Sequence, residues 1–254
     1  MVVERHLGTL ENEGIVVIPN VLSKSLLGSL IRELELARQQ DLNNRPNVFD
    51  SGMVHNCMAR GQEMAALLDN VEMGLYMDAC FSETCIVYSY QASSLPPDSG
   101  NYGSRVHIDC PRFIPNYDTN IGVMFALNDF TMDNGATYYM PKSHKLEKLP
   151  SDEEFYSKAQ RACCMAGDMI ILKTRLVHAA GINNTDTIRH ALTINFCRSY
   201  MRQRFDFPRL LSKEKINSLG VQGRRLIGMN VRVPTTLDQF YLPEAQRLYK
   251  PNQG

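Results

Sequence analysis

The chain has no excess of either charge: 27 Lys and Arg stand against 27 Asp and Glu in 254 residues. Proteins that neutralise phosphates are ordinarily basic. No basic tract occurs here, so neither nucleic-acid binding nor docking to an anionic membrane is expected. No apolar run approaches the roughly 18 residues that a spanning helix needs. The opening MVVERHLGTLENEG carries acids and lacks an apolar core, unlike a secretory signal, and the closing KPNQG is not a peroxisomal tripeptide; the expected location is cytoplasmic. There is no C-x-x-C, and seven cysteines are an odd number, which favours free thiols in a reducing compartment over a disulfide framework. Cys163 and Cys164 read as strand neighbours rather than a redox pair. No internal repeat or low-complexity segment is present. With 44% hydrophobic and 21% charged residues, the chain reads as an ordinary globular protein of one domain, 1–254.

The pattern changes along the chain. Ile15–Ile18 is a short β run stopped by Pro19. Ser23 can cap a helix over about 24–39, with Leu26, Leu27, Leu30, Ile31, Leu34 and Ala37 on one face. A second helix fits about 61–79, with the stripe Met64, Leu67, Leu68, Val71 and Leu75. From 85 onward β-rich runs follow: 85–92, 105–109, 120–127, 136–140, 169–172 and 188–196, separated by turn signals such as Asp133-Asn134-Gly135. Helices first and many strands after predict a mainly β, α+β chain: helical support over about 1–84, then a rolled β-sandwich over about 85–200. The Pro-containing stretch 201–254 should wrap the core or close a pocket.

Of six histidines, only His107 has a carboxylate two residues on in a strand-like run. Residues i and i+2 share a strand face, so His107 and Asp109 can grip one ion; the pair suits Fe(II) and can also hold Mn, Co or Zn. His178 follows an apolar run and precedes Ala179-Ala180-Gly181, which leaves room beside it. Two histidines and one carboxylate make a facial triad with three open positions. Arg189 lies eleven residues after His178, on a strand face with Thr187, Ala191, Thr193 and Asn195. That face is either exposed or lines a polar cavity. Beside an iron, the second is favoured, and the guanidinium fork matches the far carboxylate of 2-oxoglutarate.

These residues, the opening ENEGIVVIPNVLSKSLL and the stretch ALNDFTMDNGATYYMPKSHK (126–145) resemble the phytanoyl-CoA dioxygenase family of Fe(II)/2-oxoglutarate-dependent oxygenases over roughly 1–200. The resemblance implies a double-stranded β-helix (jelly roll), with His107, Asp109 and His178 as iron ligands and Arg189 as partner of the 2-oxoglutarate C5 carboxylate. It further implies cosubstrate contacts from Gln91, Asn120, Thr137 and Thr193, with Ser89 on the face of Gln91. Many relatives have Ser or Thr two residues after the distal histidine; Ala180 stands there, so Thr193 or Thr187 must supply that hydrogen bond if it is made. Halogenating relatives replace the acid of the triad, so Asp109 favours hydroxylation, with oxidative cyclisation or desaturation open. The cosubstrates implied are 2-oxoglutarate and O2, and the partner is a small polar metabolite of natural-product or sugar tailoring.

Arg112, Tyr102, Arg105 and His55 are candidate substrate contacts, His55 reaching in from the 43–60 loop. His144 reads as a turn residue, His190 as a satisfied core histidine and His6 as surface. The arginines at 198, 202, 204, 209, 224 and 225 read as scattered, which argues against an acyl-CoA-like substrate. Two rivals remain: a jelly-roll metal hydrolase or isomerase with zinc on the same triad, which leaves Arg189 without a role, and a silent binding module. The oligomeric state is not legible.

Overall fold

A computed structural model describes residues 2–45, 52–81 and 84–250. The first half is helical: α1 (Val2–Glu13), β1 (Ile15–Ile18), α2 (Lys24–Asn44), β2 (Met53–His55), α3 (Cys57–Arg60), α4 (Gln62–Ala66) and α5 (Val71–Phe81). Strands dominate next: β3 (Cys85–Leu95), β4 (Asn120–Ala126), β5 (Tyr138–Tyr139), α6 (Asp152–Lys158), β6 (Gln160–Arg161), β7 (Met169–Lys173), β8 (His178–Ala179) and β9 (Arg189–Arg198). Four short helices complete the fold: α7 (Phe207–Leu210), α8 (Lys213–Ser218), α9 (Val221–Leu226) and α10 (Leu237–Phe240). The strands form a six-stranded sheet, β1-β7-β4-β9-β3-β2, and a three-stranded sheet, β6-β5-β8. Every pair is antiparallel. This is the jelly-roll arrangement with helices on one face, and helical residues outnumber strand residues.

The large sheet has two chemically different faces, because side chains alternate along each strand. Val16, Tyr90, Val123, Phe125, Ile171, Leu192, Ile194 and Phe196 face the helices and join the main core with Leu27, Leu30 and Leu34 of α2. The inner face is divided. Its β1-β7-β4 half is apolar, with Ile15, Ile170, Leu172 and Ala126. Its β2-β3-β9 half is polar. Register aligns His55 with Gln91, Gln91 with Thr193, and Thr193 with Met124, so one row crosses from polar to apolar.

Several expectations are corrected. α1 was not expected, and α2 runs on to Asn44, where Arg60 donates to Ala37 O and pairs with Asp41 at 3.0 Å. The single helix over 61–79 is broken: Leu67–Asp69 tightens into a 3-10 turn, and Asn70 accepts from the Met73 amide to start α5 anew. The break shifts the helical phase. Val71 and Leu75 are therefore exposed, while Met73, Tyr76, Met77 and Phe81 are buried. The run 105–109 is an irregular segment with one bridge, His107 to His178, and 136–140 shrinks to β5. His6 is half-buried, its Nδ1 2.6 Å from the Tyr76 hydroxyl.

Of the 201–254 stretch, the described residues 201–250 pack on the helical side of the large sheet: Phe207, Leu211, Leu219, Leu226 and Ile227 belong to the main core. Asp69 holds it there, accepting from the Gly220 and Gly223 amides at the start of α9, where a carboxylate complements the helix dipole. Of the six arginines read as scattered, Arg202, Arg204 and Arg209 line one groove, whereas Arg198, Arg224 and Arg225 do not. Among the described residues, no helix is long and apolar enough to cross a membrane.

Candidate metal centre

His107 and His178 are bridge partners that exchange both backbone hydrogen bonds, each 3.0 Å. Val106, Ile108, Val177 and Ala179 pack away from the large sheet with Phe155. By alternation, His107, Asp109 and His178 turn toward its inner face. His107 Nδ1 lies 2.7 Å from Arg105 O and His178 Nδ1 lies 2.9 Å from Leu176 O. A carbonyl only accepts, so each Nδ1 carries the proton and each Nε2 keeps a free lone pair. Those Nε2 atoms lie 3.7 and 4.0 Å from Asp109 Oδ1, and one ligand atom from each residue falls within 4.8 Å of the others. Burial, and then the neighbouring His178, lower the His107 pKa, which keeps the imidazole neutral, as ligation requires. Asp109 is fixed through its backbone: the Asp109 and Cys110 amides both donate to Thr174 O.

Arg189 is 2% exposed. Nη1 donates to Gly135 O at 2.7 Å, the guanidinium lies 4.3 Å from the centre of the Phe130 ring, and Nε has no partner. No carboxylate pairs with it among the described residues, and burial pulls its pKa down to about 10. A buried cation with an orphaned N–H calls for an anion. The Asn134-Gly135 turn supplies the receiving carbonyl. Gly135 has φ +83°, and a Cβ there would meet Gly181 O at 2.8 Å. The donor set and the unpaired fork thus fit both a divalent iron and a dicarboxylate cosubstrate.

The other candidates divide. Gln91 and Thr193 are cross-strand neighbours on the inner face, with His55 beside Gln91. Residues 46–51 of its loop lie outside the described set. Asn120 is buried, donating to Asn195 Oδ1 at 3.0 Å. Thr174 Oγ1 donates to Asn120 O, which ties Asn120 to the Asp109 end. Thr137 is buried beside β5. Arg112 is exposed on the rim of a concavity of about 590 Å³ that Asn120, Lys173 and Thr174 also line. Arg105 is exposed, and its carbonyl holds His107. Tyr102 opens a 3-10 turn; its side chain lies outside the described set. Thr187 is exposed in a turn that Asn183 Nδ2 ties at Thr187 O, so it is not placed to replace a hydroxyl at Ala180. His190 is held by Ser94 and Glu35 at 2.8 and 3.0 Å, and His144 by Glu11 O. Sequence reasoning missed Phe130, Ser93 and Asn101, the last two joined at 2.7 Å. Period two from Gln91 points to Ser93; nothing local marks Phe130 or Asn101.

The family model for Phytanoyl-CoA dioxygenase (PhyH) matches residues 10–191. The chain belongs to this family. It is an Fe(II)/2-oxoglutarate-dependent oxygenase of the phytanoyl-CoA dioxygenase type. An uncharacterized protein of Mycobacterium tuberculosis is 31% identical over 208 residues, 80% of this chain and 76% of that protein. The iron/alpha-ketoglutarate-dependent dioxygenase ausU of Aspergillus calidoustus is 23% identical over 237 residues, 86% of this chain and 78% of that one. Among solved structures, the non-heme alpha ketoglutarate dependent carbocyclase SnoK from nogalamycin biosynthesis superposes with a TM-score of 0.63 at 20% identity, over 82% of this chain and 90% of SnoK.

Proposed function

We propose that His107, Asp109 and His178 hold Fe(II), that Arg189 anchors the C5 carboxylate of 2-oxoglutarate, and that this member oxidises a C–H bond of a small polar metabolite in natural-product or sugar tailoring. The observation that carries the reading is the buried, unpaired guanidinium of Arg189 on the inner face toward which the three ligand groups turn. The bound iron supplies C–H oxidation at the expense of 2-oxoglutarate and O2. The protein supplies placement. The Arg105 and Leu176 carbonyls fix the two imidazole planes. In this reading Gln91, Thr193, Asn120 and Thr137 serve the cosubstrate, and Arg112, Arg105 and His55 serve the substrate. The place of SnoK in nogalamycin biosynthesis supports a natural-product substrate. A zinc hydrolase would leave Arg189 as an uncompensated buried charge, which disfavours that reading.

The test is anaerobic addition of Fe(II) and 2-oxoglutarate. A weak visible metal-to-ligand band should form, and succinate should be released on admitting O2. Neither signal should survive in His107→Ala; unchanged succinate release there would remove the metal assignment.

A further inference from the structure

The large groove between the end of β9 and the C-terminal segment has no role in the reaction described above. Its volume is about 1170 Å³. Apart from Ile86, its lining comes from residues 199–250, beyond the stretch 10–191 that matches the family model.

Five cations line it, Arg202, Arg204, Arg209, Arg232 and Lys250, against one lining carboxylate, Asp206. Asp206 pairs with Arg209 at 3.0 Å. The other four have no carboxylate partner among the described residues. Arg232 Nε bonds only to Met229 O, and Arg204 and Lys250 are tied through their backbone amides, to Tyr88 O and Asn230 O. In a chain of zero net charge, this is a local concentration of one sign. Each wall has its own support, and the two are joined where Arg209 Nη2 donates to Val233 O at 3.4 Å. One follows β9, with Tyr200 hydrogen-bonded to Tyr117 at 2.9 Å. The other is the antiparallel bridge Val231 to Tyr249, which sets Arg232 opposite Leu248 and Lys250 opposite Asn230, one cation on each side of the bridge.

We propose that this groove binds a small molecule bearing a diphosphate. A single phosphate, carrying about −1.5 to −2, neutralises only about two of the four free cations. Two linked phosphates match all four, and arginine forks suit phosphate oxygens. The cations line a concavity that Val231, Val233 and Leu248 line as well. That shape fits a compact ligand with an organic portion, whereas a duplex or a bilayer needs a continuous open face.

Titration calorimetry on the full metal-free chain, at low salt and with no 2-oxoglutarate, keeps this test separate from the iron assignment. Pyrophosphate should bind at least tenfold tighter than orthophosphate. Arg202→Gln/Arg204→Gln/Lys250→Gln should weaken pyrophosphate at least tenfold. Lys24→Gln/Arg32→Gln/Lys213→Gln, which removes the same charge from exposed positions outside the groove lining, should change it less than twofold, with both triple variants melting within a few degrees of the parent. ADP binding at or below the pyrophosphate Kd identifies a nucleotide as the source; binding of pyrophosphate alone identifies a diphosphate on another carrier. Equal affinity for orthophosphate and pyrophosphate, or equal loss in the two triple variants, overturns the proposal.

Discussion

Replacing Arg189 by methionine should do two opposite things. In the cosubstrate-free protein the guanidinium is 2% exposed, unpaired, and satisfied at one N–H by Gly135 O. Exchanging a poorly compensated buried charge for an apolar side chain of similar reach typically stabilises by about 1–4 kcal/mol. At about 2–4 °C per kcal/mol for a chain of this size, the melting temperature should rise by about 2 °C or more. Gly135 O would not be stranded, because it also accepts from the Gly181 amide at 3.2 Å. In the loaded protein the same change removes a carboxylate–guanidinium pair. Losing one partner of a buried pair costs about 3–5 kcal/mol, or about 10²–10³-fold or more in 2-oxoglutarate affinity. At one hundred times the parent Kd, the cosubstrate stabilises the parent by about 2.7 kcal/mol; a hundredfold weaker variant gains about 0.4 kcal/mol at the same concentration. Thermal melts with Fe(II) under anaerobic conditions, with and without 2-oxoglutarate, read both effects. A variant that melts lower than the parent and still shifts fully with 2-oxoglutarate would refute the anchoring role.

The remaining expectations concern the metal, the turn, the tail and pH. Asp109→Ala should lower Fe(II) affinity by at least tenfold in competition with a chelator while the fold, read by circular dichroism, stays intact; unaltered affinity would exclude Asp109 from the donor set. Gly135→Ala forces a Cβ onto a φ of +83° and against Gly181 O, so it should destabilise by about 1 kcal/mol or more and raise KM for 2-oxoglutarate more than it lowers kcat. Asp69→Ala leaves the Gly220 and Gly223 amides without their acceptor; a loss of about 1–2 kcal/mol should appear in urea unfolding, with hydrogen exchange rising first in α9. His107, His144 and His190 all have lowered pKa values, each with burial as the leading cause. Below about 6.5 the unfolded chain therefore binds more protons than the metal-free fold, and stability should rise with pH from about 5 to 7. A flat urea midpoint across that range would contradict these buried neutral imidazoles.

Much of the fold was legible because alternation and helical spacing are strong signals. β1 was read to the residue, and the two faces of 188–196 separate in β9 as the alternation predicts. What failed was phase and context. Nothing in the apolar stripe over 61–79 announces that the Asn70 side chain will restart the helix, yet that one cap turns Val71 and Leu75 outward. The strand expected around His107 is a single bridge, since its partner β8 offers only two residues. The candidate ligands could still be named, because spacing survives the loss of regular structure. The partners of Arg189 could not all be named: Phe130 and Gly135 reach it through tertiary packing. The basic groove was invisible for the same reason: its walls, the segment after β9 and the bridged pair Val231 and Tyr249, lie apart in sequence.

The burial of the C-terminal helices bears on how this enzyme can be handled in the laboratory. Cutting after 191, where the family match ends, would leave three of the ten residues of β9, an interior strand of the large sheet, and strip Phe207, Leu211, Leu219, Leu226 and Ile227 from the interior. A fragment trimmed to the recognisable stretch would present a greasy, half-paired sheet to water and should precipitate. The stretch that matches the family model and the unit that folds are different lengths of the same polypeptide.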